Sequence, residues 1–311
     1  MSFQPLCSEN SPTTRVKTRI VINPNSGTDN KRNIEKLIEQ QLDASRFDYE
    51  ITHTKGPRHA TQLSKEAASL GYEFVLAVGG DGTVNEVGKG LIGSETAMGI
   101  IPSGSGNGLA RHLQIPAETS KAIAIINQYY RTTIDTVKIN DDTFIGVAGI
   151  GFDAFIAREF AQSKRRGFWS YVALVLRHYP KYCPQEIEME VDGKVMRKSG
   201  LLMTFAKSSQ YGNEIKIAPH AKLNDGYLHL VILKKPPFYC LPDILLKLRN
   251  GGIVSSKYCE SIRCREIKIP RRQLSAHVDG EPVIFNEGID LKVNPRSLKI
   301  VAPPTSSALQ V

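Results

Sequence analysis

Two glycine-rich segments hold the residues of this chain that are best suited to chemistry. The first reads GGDGTVNE at residues 79–86, and the second reads SGSGNG at residues 103–108. Glycine lets the main chain adopt a positive φ and lets a ligand approach closely, while free N–H groups at a helix start favour an anion. The two segments therefore predict a phosphate cradle, in which the carboxylate of Asp81 would orient a Mg²⁺ ion or an attacking hydroxyl. A tight Asp-Gly turn is the competing interpretation of the first segment.

The elements around these segments predict where both loops lie. An apolar strand at residues 74–78 precedes the first loop, and another at residues 98–102 precedes the second. Two strand–loop–helix units in succession place both loops at the carboxyl edge of a parallel sheet, where open α/β folds bind ligands. The chain has neither a GxxxxGKS/T motif nor a dinucleotide fingerprint with a suitable acid downstream. The sequence therefore predicts a nucleotide site of another design.

The hydrophobic pattern divides the chain into two regions. Up to about residue 131, strands at 19–22, 47–54, 74–78 and 98–102 alternate with helices, which predicts a doubly wound, mostly parallel α/β domain. Short strands dominate from residue 134 onward and predict an antiparallel β-sandwich. We expect them at residues 135–139, 143–148, 186–191, 201–205, 227–233, 261–269, 275–278 and 283–285. The expected domains are 15–133 and 134–295, with flexible termini at 1–14 and 304–311.

Composition and charge narrow the class of protein. The chain has 311 residues, a formal net charge of +9 and no apolar run long enough to span a membrane. Its five cysteines form no CxxC pair, which is typical of a reduced cytosolic protein. Basic clusters at 158–181 and 257–272 suit an anionic membrane surface or nucleotide phosphates, or else form a solvated face. No nucleic-acid-binding module accompanies them, so nucleic acid is not an expected partner.

Two apolar stretches with basic neighbours, at residues 168–176 and 238–248, are predicted helices within the β region. Such a helix can rest on a membrane interface or line an acyl-chain pocket. An ordinary core helix with basic ends is the alternative interpretation of both.

The two glycine motifs together resemble one known family. GGDGTVNEV at 79–87 followed by PSGSGNGLA at 102–110 is similar to the diacylglycerol kinase catalytic domain family, and the likeness extends from Ile20 to Pro303. That family includes bacterial lipid kinases and the sphingosine and ceramide kinases, and it is distantly related to NAD kinases. The resemblance implies an NAD kinase-like α/β domain, completed by a returning strand within residues 296–303, and a β-sandwich second domain. It also implies ATP as substrate and Mg²⁺ as cofactor.

The resemblance assigns roles to individual residues. The Asp279-Gly280-Glu281 motif matches the family's catalytic motif, so Asp279 and Glu281 are the expected catalytic pair, with Asp81 as the alternative base or metal-orienting residue. Asp225, with the main-chain carbonyls of Leu223 and Leu228, is the expected Mg²⁺ site. Asp153 is the expected contact to a lipid headgroup. The expected nucleotide contacts are Asn23, Asn25, Ser26, Gly27, Thr54, Gly79, Gly80, Asp81, Gly82, Thr83, Asn85, Glu86, Ser103, Gly104, Ser105, Asn107, Arg165 and Arg166.

The expected function is an ATP- and Mg²⁺-dependent lipid kinase that phosphorylates a primary hydroxyl of a diacylglycerol-like or sphingoid lipid. Many lipid kinases of this family have an acidic residue after the Asn of the second motif, where this chain has Gly108. The Gly-Ser-Gly-Asn form of the motif is closer to that of the sphingoid and ceramide kinases. We expect a cytoplasmic protein that binds an anionic membrane peripherally. The sequence leaves open whether the protein forms a homodimer. An NAD kinase-like enzyme is the first alternative, although Asn85-Glu86 lies inside the first motif as in lipid kinases. A silent nucleotide or lipid sensor is the second.

Overall fold

The computed structural model describes residues 15–26, 31–162, 168–212 and 214–309. Three of the expected nucleotide contacts, Gly27, Arg165 and Arg166, lie outside the described residues, as does the expected flexible segment 1–14. Within the described part of the chain, no helix is long and apolar enough to cross a membrane.

The first region alternates strands and helices. Its elements are β1 (Val16–Ile22), α1 (Lys31–Gln41), β2 (Phe47–His53), α2 (His59–Ser69), β3 (Phe74–Gly79), α3 (Asp81–Leu91), β4 (Ala97–Pro102), α4 (Gly108–His112) and α5 (Thr119–Gln128). The four strands are parallel in the order β2-β1-β3-β4. Every residue of β3 and β4 is buried, as expected for parallel strands covered on both faces. The two glycine segments follow these two strands.

The second region is built mainly from strands. Its elements are β5 (Arg131–Ile139), β6 (Asp142–Phe144), β7 (Val147–Gly151), α6 (Phe152–Gln162), α7 (Phe168–His178), β8 (Glu186–Val191), β9 (Lys194–Ser199), β10 (Leu202–Ala206), β11 (Gln210–Gly212), β12 (Ile215–Lys216), β13 (Leu228–Leu233), α8 (Leu241–Asn250), β14 (Cys259–Cys264), β15 (Glu266–Ile269), β16 (Leu274–Val278), β17 (Glu281–Phe285) and β18 (Ile289–Val301). Short 3-10 turns lie at Tyr179–Lys181, Phe238–Cys240 and Ile253–Ser255.

Two sheets pack face to face in this region. The six-stranded sheet β14-β13-β10-β7-β16-β17 is antiparallel throughout. Its inner face shares one apolar core with β5, β8, β15 and β18 of the larger sheet, through residues such as Met189, Phe205, Leu230 and Leu291. This is the β-sandwich that the sequence predicts.

The long strand β18 joins the two regions. It pairs antiparallel with β15 and β5, and near its end Ile300 pairs in parallel with Met98 of β4. One ten-stranded sheet therefore runs from the α/β region into the sandwich. The predicted fold class, an NAD kinase-like α/β domain with an antiparallel β-sandwich, is confirmed.

Three details differ from the sequence-based expectation. The strand expected at 143–148 is broken between β6 and β7, because the main-chain N–H groups of residues 145–147 turn toward the carboxylate of Asp279. The strand expected at 261–269 is two strands in different sheets, and the carboxylate of Asp192 accepts the N–H groups of Arg265 and Glu266 at the crossover. Residues 304–309 are packed rather than loose, since Ala308 and Leu309 are buried in the hydrophobic core of the α/β region.

Candidate functional site

The two glycine loops touch each other main chain to main chain. A Cβ atom added to Gly104 would lie 2.5 Å from the Cα of Gly80, and one added to Gly80 would lie 3.2 Å from the Cα of Gly104. The N–H of Ser103 also donates to the carbonyl oxygen of Gly79 at 2.9 Å. The close approach of the two loops therefore requires glycine at position 104 and leaves little room for a Cβ at position 80.

The carboxylate of Asp81 fastens the second loop to the first. Its Oδ2 accepts the N–H of Asn107 at 2.8 Å, and its Oδ1 accepts the N–H of Gly108 at 2.6 Å. Asn107 adopts φ 51° and closes the loop through two side-chain hydrogen bonds to the main chain of Gly104, at 3.0 and 2.7 Å. Asp81 therefore sets the position of the second loop.

A third loop, after β1, completes the same edge. Asn23 donates from Nδ2 to Thr83 Oγ1 at 3.0 Å, and the hydroxyls of Ser26 and Ser103 are 3.1 Å apart. The N–H of Thr54, which follows β2, donates to the carbonyl oxygen of Ile22 at 2.9 Å. The structure thus brings the loops after β1, β2, β3 and β4 to one carboxyl edge of the parallel sheet.

Other residues expected to bind nucleotide have different surroundings. The Glu86 carboxylate accepts the N–H groups of Arg58 at 2.8 Å and Ala60 at 3.1 Å, so it caps the start of α2. Asn25, Gly82 and Ser105 are exposed, and Asn85 is half-buried on α3. Their contacts to a nucleotide stay predictions.

The close contact between the loops gives a first prediction. We expect Gly104→Ala to destabilise the protein by about 1–3 kcal/mol, the usual range for overpacking, and to weaken ATP binding, because Gly80 has no side chain that can move aside. Thermal unfolding and equilibrium ATP binding measure the two effects. Gly56→Ala is the matched control, since a Cβ there meets nothing within 4 Å and Gly56 is not an expected nucleotide contact. Equal behaviour of the two variants would contradict the proposed contact.

Asp279 lies at the tip of the hairpin that joins β16 and β17. Its Oδ1 accepts the N–H groups of Gly146 and Val147 at 3.0 Å each, and its Oδ2 accepts the N–H of Ile145 at 3.2 Å. A carboxylate can accept about four hydrogen bonds, so Oδ2 keeps one free lone pair. Burial raises the pKa of Asp279 to about 6, against the lowering effect of these N–H donors.

Lys89 of α3 acts on this carboxyl group. Its positive charge lowers the pKa of Asp279, although less than burial raises it. Both Oδ atoms of Asp142 hold the Lys89 ammonium at 2.9 Å. A Cβ on Gly88 would lie 2.3 Å from Ile145, so α3 packs directly against the 145–147 loop that binds Asp279. The helix that begins at the first glycine loop therefore also reaches the candidate base.

Glu281, the other expected catalytic residue, begins β17 and is exposed. Its side chain makes no hydrogen bond or ion pair with any residue that the structure describes. It lies two positions from Asp279 and is free to meet a ligand.

Asp153 belongs to a buried polar cluster at the start of α6. Its side chain is 6% exposed, and its Oδ2 accepts the Tyr211 hydroxyl at 2.9 Å and lies 3.3 Å from His277 Nε2. A Cβ on Gly149 would lie 2.3 Å from that same oxygen. Nδ1 of His277 is buried without a hydrogen-bond partner among the described residues. The role of Asp153 toward a headgroup stays a prediction.

The expected Mg²⁺ donors at residues 223–228 are already engaged. Asp225 forms ion pairs with Lys207 at 2.9 Å and with Arg263 at 3.0 Å. The part of the chain that the structure describes has no group of three or more His, Cys, Asp or Glu residues that could hold a metal.

A cavity of about 560 Å³ opens at one end of the sandwich. Its apolar walls include Ile150, Phe155, Met203, Leu274, Val283 and Ile284. Two exposed cations, Arg158 and Arg271, also line it. The volume lies in the ordinary range for small-molecule sites.

Sequence reasoning missed several of these residues. Lys89, Lys207, Tyr211 and His277 stand in no recognisable motif, and each acts through a partner far away in the chain. His277 alone had a usable signal, because it lies two positions before Asp279 on a predicted strand and so faces the same way.

Two protein-family models match the chain. The model of the diacylglycerol kinase catalytic domain matches residues 17–139. The model of the YegS C-terminal NAD kinase beta sandwich-like domain matches residues 146–302. The two matches fall on the α/β region and on the sandwich.

Named relatives have similar lengths. A diacylglycerol kinase of Bacillus subtilis (strain 168) is 28% identical over 272 residues, which cover 85% of this chain and 89% of that protein. A diacylglycerol kinase of Staphylococcus carnosus (strain TM300) is 27% identical over 273 residues, or 86% and 89% of the two chains.

Solved structures share the fold. A diacylglycerol kinase from Bacillus anthracis str. Sterne has a TM-score of 0.71 at 19% identity, over 94% of this chain and 99% of that one. Yeast NADH kinase in complex with NADH has a TM-score of 0.50 at 9% identity, over 94% and 85%. Because the family models account for both domains and the relatives align along most of their length, the chain belongs to the diacylglycerol kinase catalytic domain family, a family of lipid kinases.

Proposed function

We propose that this chain transfers the γ-phosphate of ATP, with Mg²⁺, to a primary hydroxyl of a diacylglycerol-like or sphingoid lipid. The β16–β17 hairpin carries the proposal. Its strands line the cavity through Leu274, Ala276, Val283 and Ile284, and its tip holds Asp279. From Ala276 to Asp279 is about 10 Å of extended chain. A lipid with its acyl part in the cavity would thus present its hydroxyl near the candidate base.

The glycine loops would hold the phosphates of ATP. Their main chains lie together at the start of α3, where N–H groups and the helix dipole favour an anion. Glu281 has no described partner, so it is the carboxylate that we assign to the Mg²⁺ accompanying ATP. That ion offsets charge on the transferring phosphoryl group.

Asp279 would remove the proton from the lipid hydroxyl. A general base works best when its pKa is near the working pH, and burial brings the pKa of Asp279 to about 6. Its free Oδ2 lone pair is the acceptor, while the N–H groups of residues 145–147 fix the orientation of the carboxylate. Asp153, with His277, would bind the polar headgroup.

An exposed apolar patch would bring the enzyme to the membrane. We define this patch as Phe238, Tyr239, Leu245 and Leu246, whose residues are 43–81% exposed. It continues toward the cavity through two ring contacts. The Phe238 ring lies 6.3 Å from the ring of Tyr179, just after α7, and the Phe155 ring of the cavity wall lies 5.0 Å from the ring of His178, the last residue of α7. Arg177, Lys181 and Lys234 are exposed cations on the chain segments next to Tyr179 and Phe238, and they suit anionic lipids. Peripheral binding from the cytoplasm is the location we propose.

Phosphate transfer from radiolabelled ATP to a panel of acceptors tests the function. The panel holds diacylglycerol, sphingoid bases, ceramide, phosphatidylglycerol and NAD in mixed micelles with Mg²⁺. Label in one lipid class supports the proposal and names the substrate. Label in NAD would instead favour an NAD kinase-like enzyme. ATP binding without transfer to any acceptor would favour a silent sensor.

The membrane patch gives a second prediction. We expect Tyr239→Glu with Leu246→Glu to weaken binding to anionic vesicles about tenfold or more, because two exposed apolar side chains leave the interface. Vesicle co-sedimentation measures this. Activity on a short-chain, water-soluble substrate should not change. Val195→Glu is the matched control, since Val195 is 70% exposed on β9. Unchanged vesicle binding in the double variant would contradict the assignment of the patch.

A further inference from the structure

A lysine ammonium lies where the resemblance predicts a structural Mg²⁺. Lys207 follows β10, and its side chain has an exposed fraction of 0%. Its Nζ lies 2.8 Å from Asp135 Oδ2 and 2.9 Å from Asp225 Oδ1, and donates to the carbonyl oxygen of Tyr227 at 2.7 Å. An ammonium has three N–H donors, so these three acceptors use all of them.

The remaining donors that a metal would need are also engaged. The carbonyl oxygen of Leu223 accepts the N–H of Asp135 at 2.6 Å. Asp225 Oδ2 accepts from Arg263 at 3.0 Å, and Leu228 is paired with Cys264 in the ladder between β13 and β14. Mg²⁺ demands a nearly octahedral shell of oxygens at about 2.0–2.1 Å. These donors are arranged for an ammonium instead.

The charges of the cluster already balance. Lys207 and Arg263 face Asp135 and Asp225, whose side chains are 1% and 5% exposed. Burial raises the pKa of Asp225, but the hydrogen bond and charge of Lys207, together with the hydrogen bonds from Tyr227 and Arg263, outweigh it, so the pKa falls below its ordinary value. A divalent ion added beside the ammonium would meet strong repulsion, since burial leaves little screening.

The cluster connects several elements near the candidate base. Asp135 of β5 accepts the N–H of Arg296 of β18 at 2.9 Å and that of Gly226 at 2.7 Å. The N–H of Lys207 itself donates to the carbonyl oxygen of Gly146, in the loop that binds Asp279, at 3.0 Å. We propose that Lys207 is a built-in cation that replaces a structural Mg²⁺ at this junction, so that the fold needs no divalent ion there. This inference does not depend on which lipid is the substrate.

Thermal unfolding without nucleotide tests the inference. We expect the wild type to have the same unfolding midpoint in EDTA and in Mg²⁺, and to carry no stoichiometric metal by elemental analysis. Lys207→Ala should lower the midpoint, because two buried carboxylates lose their partner. Mg²⁺ should then enter the vacated position and raise the midpoint by about 4 °C at a hundredfold excess over its Kd.

Two further variants separate this site from others. Lys222→Ala is the matched control, because Lys222 bonds only the carbonyl oxygen of Ser307 among the described residues, and it should gain no response to Mg²⁺. Adding Asp225→Asn to Lys207→Ala should abolish the response to Mg²⁺. If Lys207→Ala does not fold, the comparison of wild-type unfolding midpoints in EDTA and in Mg²⁺ decides alone. A wild-type midpoint that falls in EDTA, with the fall abolished by Asp225→Asn, would overturn the inference. A folded Lys207→Ala variant whose unfolding midpoint does not rise with Mg²⁺ would also overturn the inference.

Discussion

Asp279→Asn is expected to lower kcat by about 10²–10⁴-fold while ATP still binds, because this range is typical for loss of a general base. The substitution should leave the fold intact. An Asn carbonyl oxygen can accept the N–H groups of Gly146 and Val147, so the change is confined to the longer contact at 3.2 Å, where the N–H of Ile145 would face the amide NH2 in place of an acceptor. Steady-state phosphate transfer to the lipid found in the panel, with separate measurement of ATP affinity, gives both numbers.

The pH dependence of stability also indicates that the Asp279→Asn variant folds like the wild type. Because the folded pKa of Asp279 is raised to about 6, the stability from its protonated form is fully present below about pH 4 and is lost as pH rises through 6. At neutral pH the ionised carboxylate therefore costs the native state stability. Unfolding curves at pH 7 should show that the free energy of unfolding of Asp279→Asn is close to that of the wild type or above it.

Asp81→Asn separates the two candidate bases. Asp81 holds the second glycine loop through the N–H groups of Asn107 and Gly108, and an amide can accept only one of these bonds properly. We therefore expect this variant to raise the KM for ATP more than it lowers kcat. Glu281→Gln, which keeps the size of an exposed side chain, should weaken dependence on Mg²⁺ and leave the fold unchanged. A large loss of kcat in Asp81→Asn, with full activity in Asp279→Asn, would move the base to Asp81.

The sequence predicts the parts of this molecule that depend on local pattern. The strands before both glycine loops are apolar throughout, and Val84, Val87 and Leu91 have helical spacing and are buried on α3. Since parallel strands end at one edge, the meeting of the loops follows from these two facts. The sandwich follows in the same way from a run of short strands.

What the sequence does not predict are contacts between distant residues. Glu86 stands in a predicted nucleotide motif, yet its carboxylate caps α2, because the start of that helix packs beside α3. Lys207 follows β10 in sequence, and nothing local indicates that Asp135 and Asp225 converge on it. The break between β6 and β7 likewise depends on Asp279, more than a hundred residues later.

Activity should also fall steeply in acid. Because Asp279 must be ionised to accept a proton and burial raises its pKa to about 6, we expect kcat/KM for the lipid to fall about tenfold per pH unit below 6. Saturating Mg²⁺ and ATP are used throughout. Enzyme returned from pH 5 to pH 7 should regain its full rate, which excludes irreversible acid inactivation, and an unchanged circular dichroism spectrum at pH 5 should exclude reversible unfolding.

Lys89→Met identifies the group that titrates. Lys89 lowers the pKa of Asp279 by its charge, and Asp142 holds it in place. Its removal should therefore move the acid limb of the pH profile upward, by up to about one pH unit. Lys89→Arg keeps the charge and should keep the midpoint. An acid limb that stays in place in Lys89→Met would mean that a group other than Asp279 limits the reaction in acid.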